Sequence, residues 1–127
     1  MNLEKVIFAF FIIFAATLNF GFIIGEIDNP LHHHVWEFFA AFVVNVVATV
    51  LKFGDRTQVG ATHLATSLVA VFQLAAAALL WVLAPTGPDG AIGPEAMTSI
   101  VSLSAGALLA NIVSVVILIV ETTLQRR

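Results

Sequence analysis

The residues best suited to chemistry lie in one short stretch, EIDNPLHHHVWEFF, which spans residues 26–39. It contains three consecutive histidines, His32, His33 and His34, and Glu37 follows within one helical turn. Imidazole and carboxylate groups bind zinc, copper or nickel, so these four residues are a candidate divalent transition-metal site. They are also a candidate pH sensor, because histidine changes its charge near neutral pH. A third interpretation is a solvated turn, since connections between helices are ordinarily polar and lie on the surface.

The spacing of the histidines limits the metal interpretation. Adjacent residues of a helix point about 100° apart, so one helical copy directs at most two of the three rings toward one ion. A complete site would therefore need a second copy of the chain or a non-helical turn.

A second set of polar residues interrupts long apolar runs, and its members are Asn19, Asn45, Gln73 and Asn111. A side-chain amide that faces lipid without a partner costs several kcal/mol, so these amides should face each other, a second copy or water. One interpretation is hydrogen bonding that holds helices together. The other is a polar layer that lines a permeation path near the middle of a membrane.

Charged residues are predicted at both ends of such a path. Glu26, Asp28 and Glu37 would form an acidic outer mouth that concentrates cations. The inner face is predicted to carry Lys52, Arg56, His63 and Glu121. The fourth predicted helix, at about residues 95–121, also has a row of small residues at i, i+4 spacing. Such a row lets helices approach closely and predicts a homo-oligomer contact. The row consists of Ser102, Gly106, Ala110 and Ser114.

The elements that position these residues follow from composition. The chain has 127 residues, of which 60% are hydrophobic and only 10% charged. A soluble domain of this size needs far more polar surface. Four apolar runs reach the roughly 20 residues that a membrane-spanning helix needs. The sequence therefore predicts a single all-α integral membrane domain over 1–127, with helices at about 5–24, 30–53, 57–84 and 95–121 in two antiparallel hairpins.

Local signals set the predicted helix boundaries. Asn29 followed by Pro30 is typical of an N-cap and first helical position, which predicts that helix 2 starts there. Gly54 suits the left-handed cap that ends helix 2. Asp55 and Gln58 resemble a capping box that opens helix 3.

The distribution of basic residues predicts the orientation. With four spans, all five fall on one side, which the positive-inside rule assigns to the cytoplasm. They are Lys5, Lys52, Arg56, Arg126 and Arg127. The termini and the 54–57 loop are therefore predicted inside, and the 26–34 and 85–95 loops outside. The expected location is a bacterial inner membrane, with lipid as the surrounding partner.

The remaining patterns narrow the function. The chain has no cysteine, no Gly-rich phosphate loop and no nucleic-acid patch, and enzyme activity is not expected. Without an ionisable residue at mid-depth, a proton-driven transporter is disfavoured. We expect a small cation-conducting channel or channel subunit, and a homo-oligomer. The alternatives are a non-conducting accessory subunit of a larger membrane complex, and an outer-face metal or pH sensor.

Overall fold

Four long helices make up most of the chain in a computed structural model, which describes residues 3–55 and 57–125. They are α1 (Leu3–Ile23), α2 (Val35–Lys52), α3 (Gln58–Leu83) and α4 (Pro94–Gln125). Each is long and apolar enough to cross a membrane. The all-helical class and the four candidate spans are thus confirmed, although α4 continues four residues past its predicted end at 121.

The helices form an antiparallel ring in which α1 and α3 each pack against both α2 and α4. Phe22 near the end of α1 meets Phe38 near the start of α2, and Phe8 near the start of α1 packs with Ala48 near the end of α2. We call the side with the α1–α2 and α3–α4 connections the loop end. The opposite side, with the α2–α3 turn, the start of α1 and the end of α4, is the termini end.

The start of helix 2 differs from the prediction. Asn29 does act as a cap, because its side-chain oxygen accepts the Leu31 N–H at 3.0 Å, and Pro30 follows at the first position. However, the cap opens only a short 3-10 turn (Pro30–His32). His33 and His34 are then extended, and α2 begins at Val35. The extended backbone directs the His33 ring into the protein, which a continuous helix from Pro30 would not do.

The turn between α2 and α3 is capped by a different residue than predicted. Gly54 has a φ of 91°, so its predicted left-handed conformation is confirmed. The N-cap of α3 is Thr57, whose hydroxyl oxygen accepts the Gly60 N–H at 2.9 Å. Asp55 instead supports this cap, because its carboxylate accepts hydrogen bonds from the Thr57 N–H and hydroxyl.

The core is divided into two apolar clusters. The cluster nearer the loop end includes Phe22 and Phe38, and the cluster nearer the termini end contains Phe8, Ile12 and Ala48. On α1 and α2, the residues between the two clusters include buried asparagines. The apolar core is therefore interrupted by polar side chains partway along the bundle.

Candidate functional site

Six buried side chains on the four helices present polar atoms that have no hydrogen-bond partner within the described residues. We call this set the polar row, and its members are Asn19, Asn45, His63, Ser67, Ser104 and Asn111. All are at most 1% exposed. Helix periodicity places them on the inward faces, because each helix buries the same face that carries its apolar core residues.

The asparagines of the row make no hydrogen bond to a neighbouring helix. Both polar atoms of Asn19 and of Asn111 lack a partner in the part of the chain that the structure describes. Asn45 donates through Nδ2 to the Ala41 carbonyl of its own helix at 2.9 Å, and its Oδ1 has no partner there. All three amides are buried inside the bundle, and no hydrogen bond from them crosses to another helix among the described residues. Their roles as interhelical glue or as a polar layer stay predictions.

Gln73, the fourth predicted amide, occupies a different environment. It is half-buried, and its amide group lies where a side chain on Gly106 would be. Gly106 thus lets α3 and α4 approach closely enough for the Gln73 side chain to lie across α4. Gln73 therefore packs beside the row without belonging to its fully buried set.

The predicted helix-packing row of α4 serves mainly contacts within the chain. Ser102 is exposed and Gly106 lies under Gln73, whereas Ala110 and Ser114 are buried. Homo-oligomerisation stays a prediction, and this row offers little free surface for it.

An aromatic layer covers the row at the loop end. Phe22, Phe38 and Trp81 pack together, with ring centroids 5.2 to 5.8 Å apart. Phe22 and Phe38 are fully buried. Along α1 and α2, Phe22 and Phe38 lie between the row asparagines and the loop end.

The predicted outer-mouth acids lie at the loop end but do not converge. Glu26 and Asp28 are exposed on the α1–α2 connection. Glu37 is half-buried, and its carboxylate lies against Gly21 on α1. Of these three carboxylates, that of Glu37 is thus the one that packs against a neighbouring helix.

The three histidines have different environments. His32 is exposed, and its Nδ1 accepts the Glu26 backbone N–H at 2.8 Å. His34 is exposed and makes no side-chain cap to α2. No group of three or more His, Asp or Glu side chains is placed to hold one metal ion among residues 3–55 and 57–125. The metal site stays a prediction, and a single copy of the chain does not bring these rings together.

His33 is the buried member of the triplet, at 4% exposed. Its Nδ1 lies 2.5 Å from the Phe22 carbonyl oxygen and its Nε2 lies 2.7 Å from the Glu26 carbonyl oxygen. Both partners are acceptors, and a neutral imidazole has only one N–H to donate. The geometry therefore suits the doubly protonated ring, which donates both bonds.

Charged groups gather at the termini end, where three residues of the predicted inner face, Lys52, His63 and Glu121, lie. That this end is the inner one stays a prediction. Lys5 pairs with Glu121 at 2.6 Å, and the Lys52 ammonium lies 4.3 Å from the centre of the Phe8 ring. Lys52 also lies 3.7 Å from Asp55. Arg56, which was predicted on this face, lies outside the described residues.

Three serines were not predicted as core polar groups. Ser67 follows His63 by four residues and thus shares its helix face. Ser104, Asn111 and Ser114 recur at i, i+7 and i+10, which is also one helical face. The predicted α4 row at 102, 106, 110 and 114 therefore reaches this inward face only at its buried members, Ala110 and Ser114. Spacing alone could have found this face, because Met97 and Ile100 continue it toward the loop end.

Comparison with known proteins gives one informative match. A family model described as a family of unknown function (DUF6394) matches residues 32–122, which is well over half of the chain. The match runs from the histidine triplet through α2 and α3 into α4. No curated protein and no solved structure matches the chain.

Proposed function

The chain belongs to DUF6394, a family of unknown function, and we propose from its own polar residues that it is a small cation-conducting membrane channel or channel subunit. The observation that carries this proposal is the polar row, which crosses the middle of a bundle whose helices are all apolar enough to span a membrane.

The energetic cost of the row argues for water in the core. Each buried polar group without a partner costs about 1–3 kcal/mol. Eight such side-chain atoms lie within the described residues. Their summed cost is comparable to the total stability of a typical domain, about 5–15 kcal/mol. A row that is hydrated for part of the time lowers this cost, and water among amides and hydroxyls gives a permeating cation polar groups to move along.

The competing structural role is less well supported. Amides that act as glue bond across helix interfaces. The only described hydrogen bond from a row asparagine side chain returns to its own helix, from Asn45 to the Ala41 carbonyl. The path we propose lies within one copy of the chain, because the row asparagines face its interior.

The described conformation corresponds to a closed state of this path. The aromatic layer of Phe22, Phe38 and Trp81 blocks access from the loop end. Opening requires these rings to separate. Glu37, which lies against Gly21 on α1, is the acidic group closest in sequence to the layer.

We place the protein in a bacterial inner membrane, surrounded by lipid. The loop end would face outward and the termini end the cytoplasm, because the five basic residues all belong to the latter side in a four-span arrangement.

Reconstitution into liposomes tests the proposal. We expect the purified protein to carry H⁺, Na⁺ or K⁺ down a gradient, read with entrapped ion-sensitive dyes. The double variant Asn45→Leu/Asn111→Leu should lose this flux, because leucine removes the polar groups that water and cations contact. Thr17→Val is the matched control, since Thr17 is exposed and its hydroxyl bonds only to the Ile13 carbonyl of its own helix.

The channel proposal fails if the unaltered protein carries none of the three ions, or if the double variant carries them equally well. Stable co-purification with another membrane protein, together with absent flux, would favour the accessory-subunit alternative.

His33 favours a second candidate function, a pH sensor at the loop end. Protonated His33 donates to two carbonyl oxygens, one in the last turn of α1 and one in the α1–α2 connection. The neutral ring can donate only one of these bonds, so deprotonation leaves one carbonyl oxygen facing a lone pair. The other titratable groups at the loop end are Glu26, Asp28, His32, His34, Glu37, Asp89 and Glu95.

The sensor is tested by the pH dependence of unfolding. We expect the unaltered protein to be less stable when the His33 ring carries one proton than when it carries two, because one net hydrogen bond, about 1 kcal/mol, is then lost. His33→Phe should remove most of this dependence, and the exposed neighbour variant His34→Phe should retain it. Equal pH profiles for the unaltered protein and His33→Phe would exclude the sensor.

A further inference from the structure

His63 joins the polar row to the charged groups at the termini end. It is 1% exposed and packs edge-on against the Phe8 ring, with centroids 4.9 Å apart. Its Nδ1 lies 2.7 Å from the Ser114 hydroxyl oxygen on α4. Its Nε2 makes no hydrogen bond within the described residues and lies 3.8 Å from the Glu121 carboxylate. The ring thus has one nitrogen toward the core and the other toward the charged end.

Polar and charged groups lie on both sides of His63, from the surface of the termini end inward. Lys5 is one-third exposed and pairs with Glu121, whose other carboxylate oxygen is the one that approaches His63. Beyond Ser114, these groups continue with Ser67 and Asn111, which lie one turn further along the same faces of α3 and α4. Both are fully buried, and their polar side-chain atoms have no partner among the residues described.

The charged side chains described at this end of the bundle come from all four sides. They are Glu4 and Lys5 on α1, Lys52 on α2, Asp55 in the α2–α3 turn and Glu121 on α4. Lys52, Glu121 and Asp55 act electrostatically on the His63 ring. Glu121 is the one that the structure places at ion-pair distance from the ring. A carboxylate this close can stabilise an imidazolium that would otherwise be expensive inside the bundle.

We propose that His63 is a proton-binding site and that the cation carried along the polar row is the proton. Uptake moves a proton from a hydronium ion to the Nε2 lone pair, which leaves water and an imidazolium. The imidazolium donates through Nε2 to Glu121 and through Nδ1 to Ser114. Release of one ring proton to a water molecule of the row restores the neutral imidazole. This inference rests on the proposed channel and names its ion.

Assigning the proton as the ion explains both how the row's polar groups are spaced and why the row contains a titratable histidine. A metal cation would need several oxygen or nitrogen ligands around it, and the row gives one or two polar side chains from each of the four helices. A proton needs only a series of groups that can donate and accept hydrogen bonds, with a titratable group at one point. His63 is the titratable member of the row.

The experiment compares ions and variants in the same liposomes. We expect the unaltered protein to carry protons into vesicles with an entrapped pH dye and to carry neither Na⁺ nor K⁺. His63→Gln should reduce proton flux by about a hundredfold, the size typical of a positioned proton-transfer group. Thr62→Val is the control on the same helix, because Thr62 is exposed and bonds only to the Gln58 carbonyl.

A spectroscopic measurement keeps the test independent of how well His63→Gln folds. In a variant with glutamine at the other three histidines, His63 is the single histidine of the chain. Its ¹⁵N NMR signals should show conversion between neutral and doubly protonated rings as the pH is varied. A ring that keeps one protonation state from about pH 5 to 8 would overturn the proposal.

The outcomes separate this inference from the channel itself. Na⁺ or K⁺ flux that His63→Gln leaves unchanged would refute the proton assignment and retain a cation channel. Proton flux that His63→Gln leaves unchanged would likewise remove His63 from the path. Absence of flux for all three ions would refute both proposals.

Discussion

At the scale of single residues, the row asparagines differ from the exposed threonines of the bundle in how their side chains are hydrogen-bonded. Thr17, Thr62, Thr98 and Thr123 are exposed, and each hydroxyl donates to a carbonyl three or four residues earlier in its own helix. Threonine can therefore satisfy itself within a helix. Asn19 and Asn111 have no such bond in the described structure, and an amide has two donors and an acceptor to satisfy. Within the described residues, these two buried amides therefore lack the partners that the exposed threonine hydroxyls find in their own helices.

This contrast predicts that the row lowers stability. The double variant Asn45→Leu/Asn111→Leu, expected to lose flux, should also be more stable by about 1–3 kcal/mol, because it removes buried groups that have no partner. Unfolding of both proteins in the same detergent, followed by circular dichroism, measures the difference. A large loss of stability would mean that the asparagines hold helices together, which is the structural interpretation.

At the scale of elements, the turn between α2 and α3 has its own electrostatics. The pKa of Asp55 is held below 3.8, chiefly by the hydrogen bond from the Thr57 N–H, then by that from the Thr57 hydroxyl, with a smaller contribution from Lys52. A carboxyl group whose pKa is lowered on folding stabilises the folded state above its unfolded pKa. This contribution is lost as the pH falls through the lower, folded value.

Asp55→Asn should therefore reduce stability at neutral pH, and the difference from the unaltered protein should shrink as the pH falls below 3.8. Thr57→Ala removes both the N-cap of α3 and one partner of Asp55, with an expected cost of about 1 kcal/mol. Unfolding measured at several pH values checks both. A difference for Asp55→Asn that stays constant into acid would show that the carboxylate charge is not responsible.

The same elements show what the sequence could and could not predict. The four helices were predictable, because apolar length and the Gly54 cap are local properties. The start of α2 was not, because the break at His33 depends on the carbonyl oxygens of Phe22 and Glu26, which come from a preceding segment. Burial of Asn45 and Asn111 followed from the cost of exposing amides to lipid. The link from His63 to Ser114 needed the packing of α3 on α4, 51 residues apart in sequence.

At the scale of the whole molecule, the ring of four helices has two chemically different ends. Because the chain contains no cysteine, single cysteines can be introduced to locate each end. Thr86→Cys lies in the exposed α3–α4 connection, and Gln58→Cys lies exposed at the start of α3. In intact bacterial cells, a membrane-impermeant maleimide should label the first variant and not the second, as the positive-inside rule requires.

Opening the cells before labelling is the control, and both variants should then react. Labelling of the Gln58→Cys variant alone in intact cells would reverse the proposed orientation. Labelling of both in intact cells would contradict a bundle that spans the membrane.

The aromatic layer at the loop end also contains an optical probe. The chain has two tryptophans: Trp36 is 76% exposed, while Trp81 packs against the rings of both Phe22 and Phe38. Replacing Trp36 with phenylalanine leaves a single indole, whose emission depends on whether its surroundings are dry or wet. Trp81, which helps to close the proposed path, thereby reports through its own fluorescence when water reaches the aromatic layer.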